Sequence, residues 1–154
     1  MKMNLKLSYW KNFQLILSIL TFQSWALAGC PIPENGSLFV RAPLGNLLVD
    51  TSASGFVEVE VSNLSIEIEE TCFSDHVEIG GTAPTQFFGP LDWRIFVPNS
   101  VNLDLITFAG GVRVSSTRGN VTVRTTGGSV STGNIGGTAT IMTQGGSILV
   151  GNIG

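Results

Sequence analysis

Beyond Lys11 the sequence contains no lysine, and its 154 residues include only two cysteines, one histidine and one tyrosine. Charged residues make up 12% of the chain, and the five arginines at 41, 94, 113, 118 and 124 are its only fixed cations after residue 29. All eleven acidic residues also lie after residue 29, which leaves that part with a net charge of −6. This balance argues against nucleic acid and anionic lipid as partners, because both recruit basic faces. A lone histidine lacks the second ligand that a recognisable zinc site requires. No segment after residue 30 has an apolar period near 3.6, so amphipathic helices are not expected there.

What is present begins with an address label. Lys2, Lys6 and Lys11 give a basic start, Phe13 to Phe22 is mostly apolar, and Ala26-Leu27-Ala28 supplies small residues suited to signal-peptidase cleavage. The apolar run is shorter than the roughly 20 residues that span a bilayer. Residues 1–29 therefore read as a signal peptide, and the protein as exported to the periplasm, the outer membrane or the outside. Leu27-Ala28-Gly29-Cys30 also resembles a lipobox, in which Cys30 would become a lipidated N-terminus and the only route to a membrane. Polar Gln23 and Ser24 fit ordinary cleavage after Ala28 instead.

The cysteines leave two outcomes open. With Cys30 lipidated, Cys72 is a lone thiol; with cleavage after Ala28, the two can pair, since an oxidising compartment permits disulfides. Such a bridge would close a loop of about 40 residues and contribute about 3 to 4 kcal/mol through chain entropy.

The strongest pattern is an internal repeat. Residues 121–136 (VTVRTTGGSVSTGNIG) match residues 139–154 (ATIMTQGGSILVGNIG) at nine of sixteen positions, and a worn copy occupies 103–120. The units are 103–120, 121–138 and 139–154, with a period of 18. Leu103/Val121/Ala139 and Leu105/Val123/Ile141 form apolar columns, Asp104/Thr122/Thr140 a polar one between them, and Val112/Val130/Ile148 mark a second short strand. Gly110, Gly128 and Gly146 share a column between the strands, where a sharp corner or positive φ favours glycine.

Two strands per unit fit either an antiparallel meander or one coil of a parallel β-solenoid. Matching columns favour the solenoid, because stacking coils about 4.8 Å apart sets each residue on its own copy. Thr107, Thr125 and Thr143 would then form a threonine ladder, and Asn134 and Asn152 an amide ladder. The sequence given stops at Gly154 without a polar cap, so the expectation is that the array continues in a longer chain or is covered by a partner.

Residues 30–102 read as a diverged β region of the same domain as 103–154. Leu38 to Arg41, Leu47 to Val49, Val57 to Val61, Leu64 to Glu69, Val77 to Ile79 and Trp93 to Val97 are expected strands. Thr82 to Pro90 is an expected loop, with Phe87 and Phe88 tucked under a neighbouring sheet.

Candidate chemistry is sparse. His76 beside Asp75 and Glu78 suggests an acid-base pair or a metal ligand, but a polar surface histidine accounts for it more simply. Glu58, Glu60, Glu67, Glu69 and Glu70 could attract calcium; alternation with Val and Ile is also how a half-buried strand keeps one face wet. Asp92-Trp93-Arg94 offers an aromatic beside charges, yet Trp93 alternates with Ile95 and Val97 as a core residue would. A polysaccharide-cleaving enzyme would need clustered carboxylates with basic partners, and the repeat carries Asp104 alone. No catalytic, cofactor or metal residue is therefore assigned.

Val97-Pro98 entering a hydrophobic strand, followed by Gly-Gly-x-Val, Arg-Gly-Asn-Val and Gly-Gly-Ser-Val units, resembles a bacterial family of exported β-strand-repeat proteins labelled adhesins. The resemblance covers about a third of the chain closely and the preceding part loosely. It implies a right-handed parallel β-solenoid with no established enzymatic role. The expectation is a non-enzymatic envelope or secreted module for adhesion or assembly, whose partner is envelope polysaccharide or another copy of itself. A carbohydrate-active enzyme, or a remnant of one on the same scaffold, and a self-assembling scaffold are the alternatives.

Overall fold

The computed structural model describes residues 29–62, 66–83 and 91–154, so the signal segment, Leu64 and the Phe87-Phe88 loop lie outside the described residues. Thirteen strands are described, and they form two facing sheets. The strands are β1 (Cys30–Pro31), β2 (Ser37–Ala42), β3 (Asn46–Ser52), β4 (Phe56–Val61), β5 (Glu67–Cys72), β6 (His76–Thr82) and β7 (Asp92–Pro98), continuing with β8 (Asn102–Thr107), β9 (Val112–Val114), β10 (Val121–Thr125), β11 (Val130–Thr132), β12 (Ala139–Thr143) and β13 (Ile148–Leu149). One sheet has the order β1-β4-β7-β3-β9-β11-β13, the other β12-β10-β8-β2-β6-β5. The fold is all-β and solenoid-like, with both parallel and antiparallel pairing.

In the repeat every pairing is parallel. Val121 lies between Leu103 and Ala139, Thr125 between Thr107 and Thr143, and Val130 between Val112 and Ile148, so each residue pairs with its equivalent in the next unit. Isolated bridges join Thr117 to Ile135 and Ile135 to Ile153 on a third side. Alternation does the rest: Val121, Val123, Val130 and Ile135 point inward and are buried.

The corner column explains its glycines. Gly110 and Gly128 have φ of 137° and Gly146 128°, a region side chains rarely adopt. A Cβ on Gly128 would also run into the backbone of Gly110. Corner amides continue the ladder, Gly110 N donating to Gly127 O at 2.8 Å and Gly128 N to Gly145 O at 2.7 Å.

Coil order departs from chain order. The β2/β3 pair lies between β6/β7 on one side and β8/β9 on the other, with Leu38 flanked by Val77 and Leu103 and Leu47 by Trp93 and Val112. Antiparallel strands then close that end: β4 pairs with β7, β1 with β4, and β5 with β6. The chain thus inserts β6/β7 beneath its own first coil, so stacking order in residues 30–102 does not follow sequence order. Trp93 anchors the arrangement; it is fully buried, and its Nε1 donates to Leu44 O at 3.0 Å.

Cys30 and Cys72 form a disulfide with Cα atoms 5.5 Å apart, joining β1 of one sheet to β5 of the other. This overturns the lipid anchor: the Cys30 Sγ is already bonded, so no thiol is free to take a diacylglyceryl group. The Cys30 amide also donates to Glu70 Oε1 at 3.3 Å. Burial pushes the Glu70 carboxyl above its ordinary value, a rise only partly opposed by that hydrogen bond.

Candidate functional site

Parallel stacking converts the polar residues of each turn into columns, and their bonding decides which atoms remain for a ligand. The threonine column turns inward. Thr107 and Thr125 are buried, and Thr107, Thr125 and Thr143 donate their hydroxyls to Gly45 O at 3.2 Å, Gly110 O at 3.0 Å and Gly128 O at 2.9 Å. These side chains hold the corners and are taken out of the polar outer surface.

The asparagines work differently from stacked amides. Asn134 Oδ1 accepts the backbone amide of Asn152 at 3.0 Å, and Ser116 Oγ accepts that of Asn134 at 3.0 Å. Asn102 and Asn120 do the same for Asn120 and Thr138, at 3.0 and 2.9 Å. Each column residue satisfies the amide one coil further on, and what Asn134 can offer a ligand is its Nδ2 donors.

On the third side this pattern makes a groove. It has a volume of about 370 Å³ and is lined by Asn99, Ser116, Arg118, Asn134 and Asn152 along Ile135 and Gly136. Glycine at 136, where the previous coil has Arg118, removes the side chain that would fill it. The Arg118 guanidinium is braced on Asn99 Oδ1, through Nε at 3.3 Å and a terminal nitrogen at 3.0 Å. The outcome is a groove of mixed apolar and polar lining with one oriented cation and no acidic side chain.

The other sequence candidates are dispersed. Asp92 and Arg94 stand on β7 and Asp104 on β8, in different sheets, so they share no reaction centre. Asp104 lies 3.4 Å from Arg124, and Asp92 accepts from Asn46 Nδ2 at 2.8 Å. Trp93, the aromatic between Asp92 and Arg94, is buried in the core as its alternation with Ile95 and Val97 suggests. Glu58 and Glu60 face outward on β4 of one sheet, Glu67 and Glu69 are exposed on β5 of the other, and Glu70 is held at the cap, so the glutamate run is split. Among the described residues, no three His, Cys, Asp or Glu side chains are grouped to hold a metal.

His76 has a defined setting. Its Nδ1 is 2.7 Å from Asp75 Oδ1, its Nε2 is 3.7 Å from Glu78 Oε1, and its ring stacks on Phe73 with centroids 4.2 Å apart. The hydrogen bond to His76 holds the Asp75 carboxyl below its usual range. Phe39 meets the same ring edge-on at 5.6 Å. Sequence reasoning passed over Phe39 and Arg41, whose outward positions on β2 follow from alternation with buried Leu38, Val40 and Ala42.

No protein-family model matches the chain, and no curated protein matches it. A solved structure from Clostridium sporogenes, provisionally named a cell adhesion protein, shows 12% identity and a TM-score of 0.43, covering 77% of this chain and 93% of that one.

Proposed function

We propose that the protein is a non-enzymatic, exported surface module, built as a right-handed parallel β-solenoid of 18-residue coils, that binds acceptor-rich polysaccharide along its third side. The observation that carries this is the groove between Asn99 and Asn152, with side-chain amides among its lining and Arg118 braced at its wall. Concave sites with a few convergent polar groups are where ligands bind, and a guanidinium beside side-chain amides suits hydroxyls and carboxylates. The internal disulfide fits an oxidising compartment outside the cytoplasm.

Titration with an oligogalacturonate tests it. Arg118→Ala should weaken binding about tenfold, the loss of one charge-assisted contact. A protein that binds no glycan, or an Arg118→Ala variant that binds undiminished, would sink the proposal.

A further inference from the structure

The six-stranded sheet carries a second cleft, far in sequence from the groove. Its outer face is set by register: Phe39 lies opposite Glu78, Glu78 opposite Thr71, Arg41 opposite Gly80, and Gly80 opposite Glu69. These six residues line a cleft of about 140 Å³.

Gly80 makes the space, and nothing in the fold requires a glycine there. Its φ is not among the positive ones, and a Cβ built on it meets no atom within 4 Å. Neighbouring Gly81 is the opposite case: its Cβ would strike the buried Trp93 ring. A glycine inside a strand weakens the strand and often marks close approach of another group. At Gly80 that approach comes from the open, solvent side.

The walls are chemically mixed. Phe39 is half-buried and braced edge-on by His76, which is itself held between Phe73 and Asp75, so the aromatic wall is fixed before any ligand arrives. Glu69 and Glu78 supply acceptors, Thr71 a hydroxyl and Arg41 donors. Two carboxylates against one guanidinium leave the cleft acidic, and the negative face of an aromatic ring attracts a neighbouring cation.

We infer that this cleft binds a hexosamine unit of a glycan, the pyranose ring packing on Phe39 over Gly80 with its protonated amine directed to Glu69 and Glu78. Arg41 and Thr71 then meet the ring hydroxyls. The carboxylates disfavour a uronate, which distinguishes this site from the Arg118 groove. The inference shares the glycan-binding theme of the proposed function but uses different residues, a different face and a ligand of opposite charge.

Calorimetric titration of the full protein with a glucosamine hexamer, its fully N-acetylated counterpart and an oligogalacturonate tests the site. Binding of the glucosamine hexamer should fall at least about tenfold in Gly80→Leu, which fills the cleft, and in Glu78→Gln. Binding should be weaker for the acetylated oligomer, which has lost its charge. Because Gly80→Leu adds a side chain into open space, its urea midpoint should match the parent and separate lost binding from lost folding. The inference is overturned if the glucosamine hexamer does not bind, if Gly80→Leu binds it as tightly as the parent, or if acetylation makes no difference. Loss of oligogalacturonate binding alone would count against the Arg118 groove and leave this cleft standing.

Discussion

The capped region and the repeat region of this molecule are held together in different ways. In the capped region antiparallel β4 and β5 flank the stack, the Cys30–Cys72 bridge ties the two sheets together, and Glu67 and Glu69 stand on the edge strand β5. In the repeat β8 to β13 pair only in parallel, the bridge lies elsewhere, and the corners are set by glycines with positive φ. Residues 29–102 carry ten acids against two arginines, whereas 103–154 carry one acid against three. Charge on an edge strand such as β5 blunts it against further pairing.

Substitutions sharpen this contrast, beginning with the largest effect. Trp93→Ala should destabilise the capped half by about 3 to 5 kcal/mol, from the cavity left by a fully buried indole and the lost bond to Leu44 O. Urea denaturation measures it, and a loss under 1 kcal/mol would mean that Trp93 does not anchor the cap. Replacing both Cys30 and Cys72 with serine should remove about 3 to 4 kcal/mol, since the bridge spans a separation of 42 residues. Amide exchange should then quicken first in β1, β4 and β5; uniform quickening across β10 and β12 would break the distinction between the capped region and the repeat.

Backbone geometry dominates in the repeat. Gly128→Ala should cost about 1 to 3 kcal/mol, because the position needs a positive φ and its Cβ meets the Gly110 backbone. Gly127→Ala, with nothing within 4 Å of its Cβ, should be close to neutral. Equal melting temperatures for the two variants would refute the stacked-corner geometry.

Two threonines make a finer pair. Thr125→Val removes a hydroxyl that donates to Gly110 O and should lose about 1 kcal/mol. Thr132→Val should gain about 1 kcal/mol, since Thr132 Oγ1 is buried with no hydrogen-bond partner among the described residues. Thermal melts of both variants decide whether the sign reverses.

The smallest effect lies at the cap. The folded-state pKa of Glu70 is raised by burial, so the folded chain holds the proton more tightly than the unfolded chain. The associated stability is full below the ordinary value near 4.5 and is lost as pH rises through the folded value. Glu70→Gln should therefore melt slightly higher than the parent at pH 7.5 and match it near pH 3.5. A variant less stable at pH 7.5 would show that the ionised carboxylate stabilises the cap.

The alternation of apolar and polar residues made much of the strand content legible. Leu38 to Arg41, Leu47 to Val49, Val57 to Val61, Val77 to Ile79 and Trp93 to Val97 all fall within observed strands. The columns in 103–154 were legible because parallel in-register pairing places each residue on its equivalent, which preserves matching identities. Antiparallel pairing at the cap places unlike residues opposite one another, Glu60 on Arg94 and Val61 on Trp93, and so leaves no period to find. The groove was visible as columns but not as a concavity, since that depends on Gly136 following Arg118 at one level of the stack. The Phe39 cleft was invisible, its parts being 41 residues apart and joined only by register.

By itself, the sequence determined that this chain is built of short strands, with corners where glycine must stand and an apolar face inside. Those are local consequences of a two-residue side-chain period and of backbone sterics. Only the tertiary structure decided that the first coil lies between β6/β7 and β8/β9, that Cys30 bonds to Cys72 rather than to lipid, and which outward side chains meet. Neighbour order in a stacked sheet depends on the total burial and hydrogen bonding of all coils together, a sum over pairs far apart in the chain that no local pattern encodes.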